Sequence, residues 1–376
     1  MSISRGTLPA NFSDFLESAG ANMRLPQPEP QYLFATMALG ASLAAAGINA
    51  GMGAQFGLAS NGESVPNSLD RLIRTNEAFP DAIKAVNGFG LGRGDTIKFQ
   101  RAKFSDAAMG YTESSRELST DTAISTTGQV IAMEEVPIVL KQYVGPGAAS
   151  EPQPYAIWDF DMRYRASKYN LVDEVSNHLS RDYIKFLDTT IRDRFRATGN
   201  ITYADDVANA AAFTAGAGHQ ASLELLFKAK KSMTDREWRP FSRGRYLMIV
   251  PTAFNVQMLG DVDYRELTKA HDTGRNLVFG HIASVQDMDI VECSTLRTYA
   301  AGEVVPVDGQ TVPVDATVYE GLLIGPGGVG FGNAGGPEPR HADDTNYQNT
   351  MKVIWQAIHA FQTLDSRATQ RVLFQA

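Results

Sequence analysis

The sequence predicts an α+β fold organised on one long helix and a strand-helix-strand unit, and three observations carry that expectation. Between Arg243 and Leu296, a short apolar run from Tyr246 to Val250 ends at Pro251, which has no N–H to offer a ladder and so closes a buried strand. Phe254, Met258 and Leu259 then recur at helical spacing. After the polar segment Asp261 to Asn276 and the run Leu277-Val278-Phe279-Gly280, a second strand is expected from Asp289 to Leu296. The second observation is the stretch from Leu171 to Ala197, in which Leu171, Val172, Val175, Leu179, Tyr183, Phe186, Leu187, Ile191 and Phe195 fall at three- and four-residue steps and make one apolar stripe. The third is a pair of strand-like runs, Thr96 to Phe104 and Pro137 to Val144. They are held apart by a segment, Ser105 to Thr122, that is polar and charged with almost no apolar periodicity, and strand character first resumes at Gln129 to Ile131. That is a long hairpin without a core.

Met1 to Pro30 carries Pro9, Pro26, Pro28 and Pro30, lacks the basic and apolar regions of a signal peptide, and reads as an arm. From Gln31 to Gly62 no residue is charged. The length would suit a membrane span, but the run is mainly Ala and Gly with Asn49 and Gln55 inside it, so its insertion would be marginal. The expectation is a Gly-rich arm with no core of its own, ordered by an adjacent chain that buries Tyr32 to Leu58. Asn87 to Asp95 is a glycine hinge before the strand at Thr96, where Ile97 and Phe99 alternate with Lys98 and Gln100. Gly145 to Pro154, with Pro146, Pro152 and Pro154, is a linker, and Trp158 to Tyr164 is strand-like.

Asn170 is placed to cap the long helix and Gly199 to end it, which gives a length of about 40 Å. The face opposite its apolar stripe carries Asp173, Glu174, Arg181, Lys185, Asp188 and Arg192, the last two spaced for an ion pair. Ile201 to Gly218 reads as loop. Ala221 to Met233 reads as an amphipathic helix whose Lys228, Lys230 and Lys231 complement the dipole from a solvated end. Tyr299 to Ala316 is a loop or hairpin before a strand from Thr317 to Ile324, and Tyr347 to Phe361 and a strand at Arg371 to Phe374 finish the chain.

With 376 residues and 43% hydrophobic content the chain can bury a sizeable core. A net charge of -8 argues against a dedicated nucleic-acid binder, which needs a clustered basic surface, but it suits a container that must tolerate DNA without holding it. One cysteine, Cys293, excludes an internal disulfide framework and a cysteine-rich zinc site. Alternation along Asp289 to Ser294 puts it on the face of Val291, as a buried thiol and not a nucleophile served by His271 or His281. Arg93-Gly94-Asp95 could be read as an integrin-binding tripeptide; a turn explains it better. Gly325-Pro-Gly327-Gly-Val-Gly330 follows the strand at Val318 to Ile324, where a dinucleotide fingerprint would sit. The residues after it, Phe-Gly-Asn-Ala-Gly-Gly-Pro337, cannot start the helix that a pyrophosphate needs, so a surface glycine loop is expected. His341 with Asp343 and Asp344, Asp159 with Asp161, and Asp261 with Asp263 lack any recognised ligand spacing. No residue is given a catalytic, cofactor or metal role.

The order of a strand closed by Pro251, a helix, a variable loop, Leu277-Val-Phe-Gly280 and a strand with Ile290 to Ser294 resembles the major capsid proteins of tailed phages with the Hong Kong-type fold, in particular the branch of the coliphage N-four coat proteins. Gly94-Asp-Thr-Ile-Lys-Phe99 is similar to that family's approach to an extended loop. The resemblance implies an N-terminal arm (1–92), an extended-loop hairpin (93–145), a peripheral domain with a spine helix (146–200, plus strands from later in the chain) and a mainly axial remainder (201–376). It further implies self-assembly as pentamers and hexamers into an icosahedral head around double-stranded DNA, with portal, scaffolding and possible decoration proteins as partners. Assembly would take place in the host bacterial cytoplasm, with no membrane and no cofactor. A loop this long needs a surface to lie on, which makes Lys98, Arg101, Lys103, Glu113, Arg116 and Glu117 candidates for inter-subunit contact. The alternatives are an encapsulin-type shell and, in a different class, a nicotinamide-dependent oxidoreductase using Gly325 to Gly330.

Overall fold

The computed structural model describes residues 32–45, 79, 81–88, 91–102, 133–148, 151–152, 154–158, 171–216, 218–241, 244–261, 281–285, 287–307, 310–343 and 350–375. Helix α1 (Leu33–Ala45) comes first, followed by β1 (Ile83–Asn87), β2 (Thr96–Ala102), β3 (Met133–Val139) and β4 (Lys141–Gly145). Three short strands, β5 (Gly147–Ala148), β6 (Glu151–Pro152) and β7 (Tyr155–Trp158), lead to the long helix α2 (Leu171–Arg196). Then come β8 (Ile201–Tyr203), α3 (Leu223–Asp235), β9 (Tyr246–Val250), α4 (Thr252–Gly260), β10 (His281–Val285) and β11 (Met288–Glu292). The remainder is strand: β12 (Thr298–Tyr299), β13 (Val304–Val307), β14 (Gln310–Pro313), β15 (Val318–Ile324), β16 (Val329–Asp343), β17 (Thr350–Thr363) and β18 (Thr369–Gln375).

Two sheets share α2. The larger has the order β10-β11-β9-β15-β18-β8, with β12 on β15. Every residue of β9 is buried because both faces of this sheet are covered. Leu247, Ile249, Val291, Leu322 and Ile324 point to the α2 side, whereas Met248, Val250, Ile290 and Leu323 point to α3 and α4, where Leu226, Met233 and Phe254 meet them. This is the two-residue period of a strand read on both faces. Ser222 accepts from Leu225 N (3.3 Å) and Asp261 Oδ2 from Leu223 N (3.0 Å), so two side chains satisfy the first turn of α3.

The second sheet runs β1-β16-β17-β4, with β7 on the outer part of β17. Its antiparallel β16-β17 ribbon shifts register twice between Asn333 and Glu338, beside a Gly-Gly-Pro sequence that weakens regular pairing. Trp355 sits 5.3 Å from Tyr183 and 5.4 Å from Phe186 between ring centroids, which fixes the middle of α2 to this sheet. One continuous apolar cluster therefore contains residues of α1, α2 and both sheets. The β2-β3 ribbon stands on a smaller cluster of its own, with Ile97, Phe99, Ile138 and Leu140 against Ala334 and Ala360.

Several expectations change at this level. The segment 33–45 is not a coreless arm: it is a helix lying on this chain's own α2, with Phe34, Ala35, Met37 and Ala38 at 2% exposure or less. Because it is apolar on every side it shows no amphipathic stripe, and enclosure within the chain satisfies it. The rest of the expected arm, including 46–58, lies outside the described residues. Asp188 was assigned to the solvated face with Arg192 but is 1% exposed. The base of the hairpin has a core after all, and its tip, Ser105 to Thr122, falls outside the described residues. Ile201 to Tyr203 forms an edge strand within the expected loop, pairing in parallel with β18. Tyr299 to Ala316 includes the β13-β14 hairpin, and the described part of the expected segment from Tyr347 lies in β17 (Thr350–Thr363).

Candidate functional site

The polar machinery of this chain is built around α2, at three places along its length. The first receives α1. Asp188 Oδ1 accepts from Phe34 N at 2.9 Å and Ala35 N at 3.1 Å, two of the N–H groups that a helix start leaves without partners, while Oδ2 accepts from the Thr295 hydroxyl at 2.7 Å. Burial pushes the Asp188 carboxyl up to about 6, against the opposing pull of these donors and of Arg192. The other end of α1 is held as well. Ser42 Oγ donates to Asn87 Oδ1 (2.8 Å), Asn87 Nδ2 donates to Ser42 O (2.9 Å), and Asn333 Nδ2 donates to Ser42 Oγ (3.1 Å). Arg192 does not close an intrahelical ion pair with Asp188; it reaches Asp193 (3.1 Å) and the Thr295 carbonyl.

The second place is the C-terminal turn of α2. Glu320 on β15, fully buried, accepts from Arg371 Nε at 2.7 Å, Arg196 Nε at 2.9 Å and the Tyr299 hydroxyl at 3.0 Å. Arg371, itself 1% exposed, also donates to Pro306 O at 2.6 Å. A buried carboxylate persists only when its charge is paired and its lone pairs are filled, and here both arginines and a phenol do so. Burial and the adjacent Glu320 charge push the Tyr299 phenol up to about 12. The third place is the contact with β17. Trp355 Nε1 donates to Asp182 Oδ2 (2.7 Å), and the Tyr183 hydroxyl meets His359 Nε2 (2.8 Å) in an aromatic enclosure with Phe331 and Phe361. Burial holds the His359 imidazole down at about 4, and its Nδ1 has no hydrogen-bond partner. None of these arrangements presents a nucleophile, a base and an open space together. They fix elements to one another.

The residues singled out by sequence fall elsewhere. Lys98 lies on the exposed face of the β2-β3 ribbon, 2.7 Å from Glu135, an exposed pair of the kind that adds little stability. Arg101 is on the same strand, while Lys103, Glu113, Arg116 and Glu117 lie outside the described residues. Lys228 bridges Asp206 and Glu224, each at 2.6 Å, and Lys230 reaches Asp287 at 2.9 Å. Arg93 to Asp95 is a turn, in which Asp95 Oδ2 accepts from Gly92 N at 2.7 Å. Cys293 is 1% exposed on the Val291 side of the sheet, its thiol raised by burial and then by the charge of Asp188. His271 falls outside the described residues.

The glycine segment after β15 is a packed turn, not a surface loop. A side chain at Gly325 would strike the Trp238 ring at 2.5 Å, and a strand, not a helix, begins at Val329. No helix N-terminus stands behind it to receive a pyrophosphate. Asp261 is used in capping α3; Asp159, Asp161, Asp263 and Asp344 lie outside the described residues, among which no group of three or more His, Cys, Asp or Glu side chains converges for a metal. No helix among the described residues is long and apolar enough to cross a membrane.

Sequence reasoning missed Asp188, Glu320 and His359. The signal available for Glu320 was a lone acid inside an otherwise uncharged strand, Val318 to Ile324.

No protein-family model and no curated protein matches the chain. Solved structures do. The capsid of Ralstonia phage GP4 superposes with a TM-score of 0.57 at 10% identity, over 78% of this chain and 87% of that one. The head of Helicobacter pylori bacteriophage KHP40 gives 0.54 at 8% identity (78% and 87%), and the capsid of cyanophage Pam1 gives 0.53 at 12% (78% and 88%). At such identities the likeness is one of fold, and the chain has the Hong Kong-type phage capsid fold.

Proposed function

We propose that this chain is the major capsid protein of a tailed phage, many copies of which close into an icosahedral head around double-stranded DNA. The observation that carries the reading is a fold shared with phage capsid chains over nearly four-fifths of its length. The site supports it: the buried polar groups lock one helix to two sheets, as a subunit under internal pressure needs, and none is arranged for chemistry. The role is mechanical, not enzymatic.

The order of motifs from Tyr246 to Ser294 favours the N-four coat-like branch. The division into an arm, an extended loop from 93 to 145, a peripheral domain and an axial domain is proposed on the same footing. The sheet containing β16 and β17, which packs on α2, supplies later strands to the peripheral part, and the seven-stranded sheet forms the axial part. Pentamers and hexamers of this chain, a portal, separate scaffolding and decoration proteins, and non-specific contact with packaged DNA are the proposed partners. The virion is the proposed location, after assembly in the host bacterial cytoplasm. Lys98 and Arg101, with the segment beyond them, are proposed to touch an adjacent subunit.

Electron microscopy of the purified chain tests this. Closed shells or capsomers are expected. Small discrete particles would overturn the proposal, and shells filled with a protein cargo in place of DNA would point to an encapsulin.

A further inference from the structure

Strand β1 ends in an Asn-Gly pair, the dipeptide whose main chain is best suited to attack its own side chain: the glycine has no Cβ, so its nitrogen swings onto the asparagine Cγ without hindrance. The chain has two such pairs. Asn61-Gly62 lies outside the described residues, and Asn87-Gly88 sits beside the C-terminal part of α1. In the folded chain both reacting groups at Asn87 are held. Gly88 N, the attacking atom, donates to Asn333 O at 2.8 Å, which continues the parallel β1-β16 ladder and commits its proton. Asn87 Oδ1 accepts from Ser42 Oγ at 2.8 Å and Nδ2 donates to Ser42 O at 2.9 Å, so α1 grips the carboxamide by both of its polar atoms. Asn333 Nδ2 donates in turn to Ser42 Oγ at 3.1 Å.

We propose that Asn87 is a self-modification site gated by α1. When α1 opens, the carboxamide is released and Gly88 N attacks Cγ. The N–Cγ bond forms, the Cγ–Nδ2 bond breaks, and the side-chain nitrogen leaves as ammonia with the proton that Gly88 N gives up. Water then opens the cyclic imide. Cleavage at Cγ leaves aspartate, and cleavage at the main-chain carbonyl leaves isoaspartate; neither step oxidises or reduces anything. Either product keeps α1 from closing again. In aspartate a charged oxygen replaces Nδ2 and faces Ser42 O, acceptor against acceptor, where a donor had been. In isoaspartate the main chain runs through the side-chain carbon, which inserts an extra atom before Gly88 and takes its N–H out of line with Asn333 O. An opening of α1 that is reversible at first thus becomes permanent, and the modified fraction records how long the helix has stood open.

The test incubates the full chain at neutral pH in ¹⁸O-labelled water. Trypsin then releases the peptide Ala85 to Arg93, in which Asn87 is the one asparagine, and mass spectrometry counts the replacement of its nitrogen by labelled oxygen. Native wild type, native Asp188→Ala and wild type unfolded in urea are compared. Native wild type is expected to react at least about a hundredfold more slowly than the unfolded chain, because the reaction passes only through the fraction with α1 open. Asp188 bonds to the opposite end of α1, at Phe34 and Ala35, so its loss reaches Asn87 through the helix, and an acceleration of about tenfold over native wild type is expected. If Asp188→Ala does not fold, Ser42→Ala, which removes the hydroxyl from the grip itself, takes its place with the same expected acceleration. Modified chains returned to native buffer should exchange the amides of Leu33–Ala45 freely. Native wild type reacting as fast as the unfolded chain, a variant reacting no faster than native wild type, or modified chains as protected along α1 as unmodified ones would each overturn the proposal.

Discussion

Replacing Asp188 with alanine is expected to loosen α1 while leaving both sheets folded, and the size of the effect follows from what Asp188 holds. Two buried backbone N–H groups, at Phe34 and Ala35, lose their acceptor, at about 1–3 kcal/mol each. Against this, the variant no longer buries a charge, which at pH 7 returns up to about 3 kcal/mol of the loss, so a net destabilisation of no more than about 3 kcal/mol at pH 7 is expected. The pH dependence is more telling than the size. The folded-state value of about 6 lies above the ordinary 3.8, so the folded chain takes up this proton more readily than the unfolded one. Asp188 thus costs up to about 3 kcal/mol above pH 6, and that cost fades as the pH falls towards 4. The stability gap between wild type and Asp188→Ala should therefore widen on mild acidification, the reverse of an ion-paired surface carboxylate. Urea unfolding between pH 7 and 4 measures the gap, and amide exchange at Phe34 and Ala35 reports the helix start, where a loss of protection of about a hundredfold is expected. A gap that narrows in acid, or unchanged exchange at those two amides, would refute the account of the socket.

His359→Phe should show the opposite trend: burial holds the native ring at about 4, so its stabilising neutral form is fully present above pH 6.5 and is lost as the pH falls towards 4. The stability of wild type relative to His359→Phe should drop by about 3 kcal/mol across that window, and a flat difference in urea unfolding would mean that the ring is not buried against Tyr183. Deleting Ser105 to Thr122 should leave a soluble, folded subunit that forms no shells by electron microscopy, because the β2-β3 ribbon is anchored at its base by Ile97, Phe99 and Ile138; normal shells from the deletion would sink the proposed role of the loop.

The elements with one-sided or alternating patterns were legible. α2 was expected to Ala197 and ends at Arg196, and the strand closed by Pro251 ends at Val250. The burial of Cys293 followed from simple alternation. What could not be read were segments whose environment is supplied by distant chain. The uncharged run from Gln31 looked like an arm because a helix that is apolar all round carries no period to detect. The glycines from Gly325 looked like a surface loop because composition says nothing about Trp238 closing over them. β16 was hidden by its own glycines and prolines, which weaken strand propensity but are tolerated where the ribbon bulges.

The misplacement of Asp188 has a structural cause that also explains why α2 carries so much of the polar architecture. Stripe logic assumes that a helix has one buried face and one wet face, and α2 violates it: α1 covers part of the face that the pattern assigned to solvent, so a charged residue there is enclosed without any change in local sequence. Each further partner that encloses α2 meets it through a polar anchor at a different height, Asp182 and Tyr183 with β17, Asp188 with α1, Arg196 with Glu320 of β15. Apolar packing alone is non-directional and would let a smooth helix slide or rotate against its neighbours. Hydrogen bonds in an enclosed setting do not tolerate such slippage, because a broken one leaves a buried group without a partner. The three anchors thus fix the position and rotation of α2 against two sheets and α1 at once. Any movement of one sheet relative to the other must either carry α2 as a rigid body or break the Glu320 or His359 contacts first.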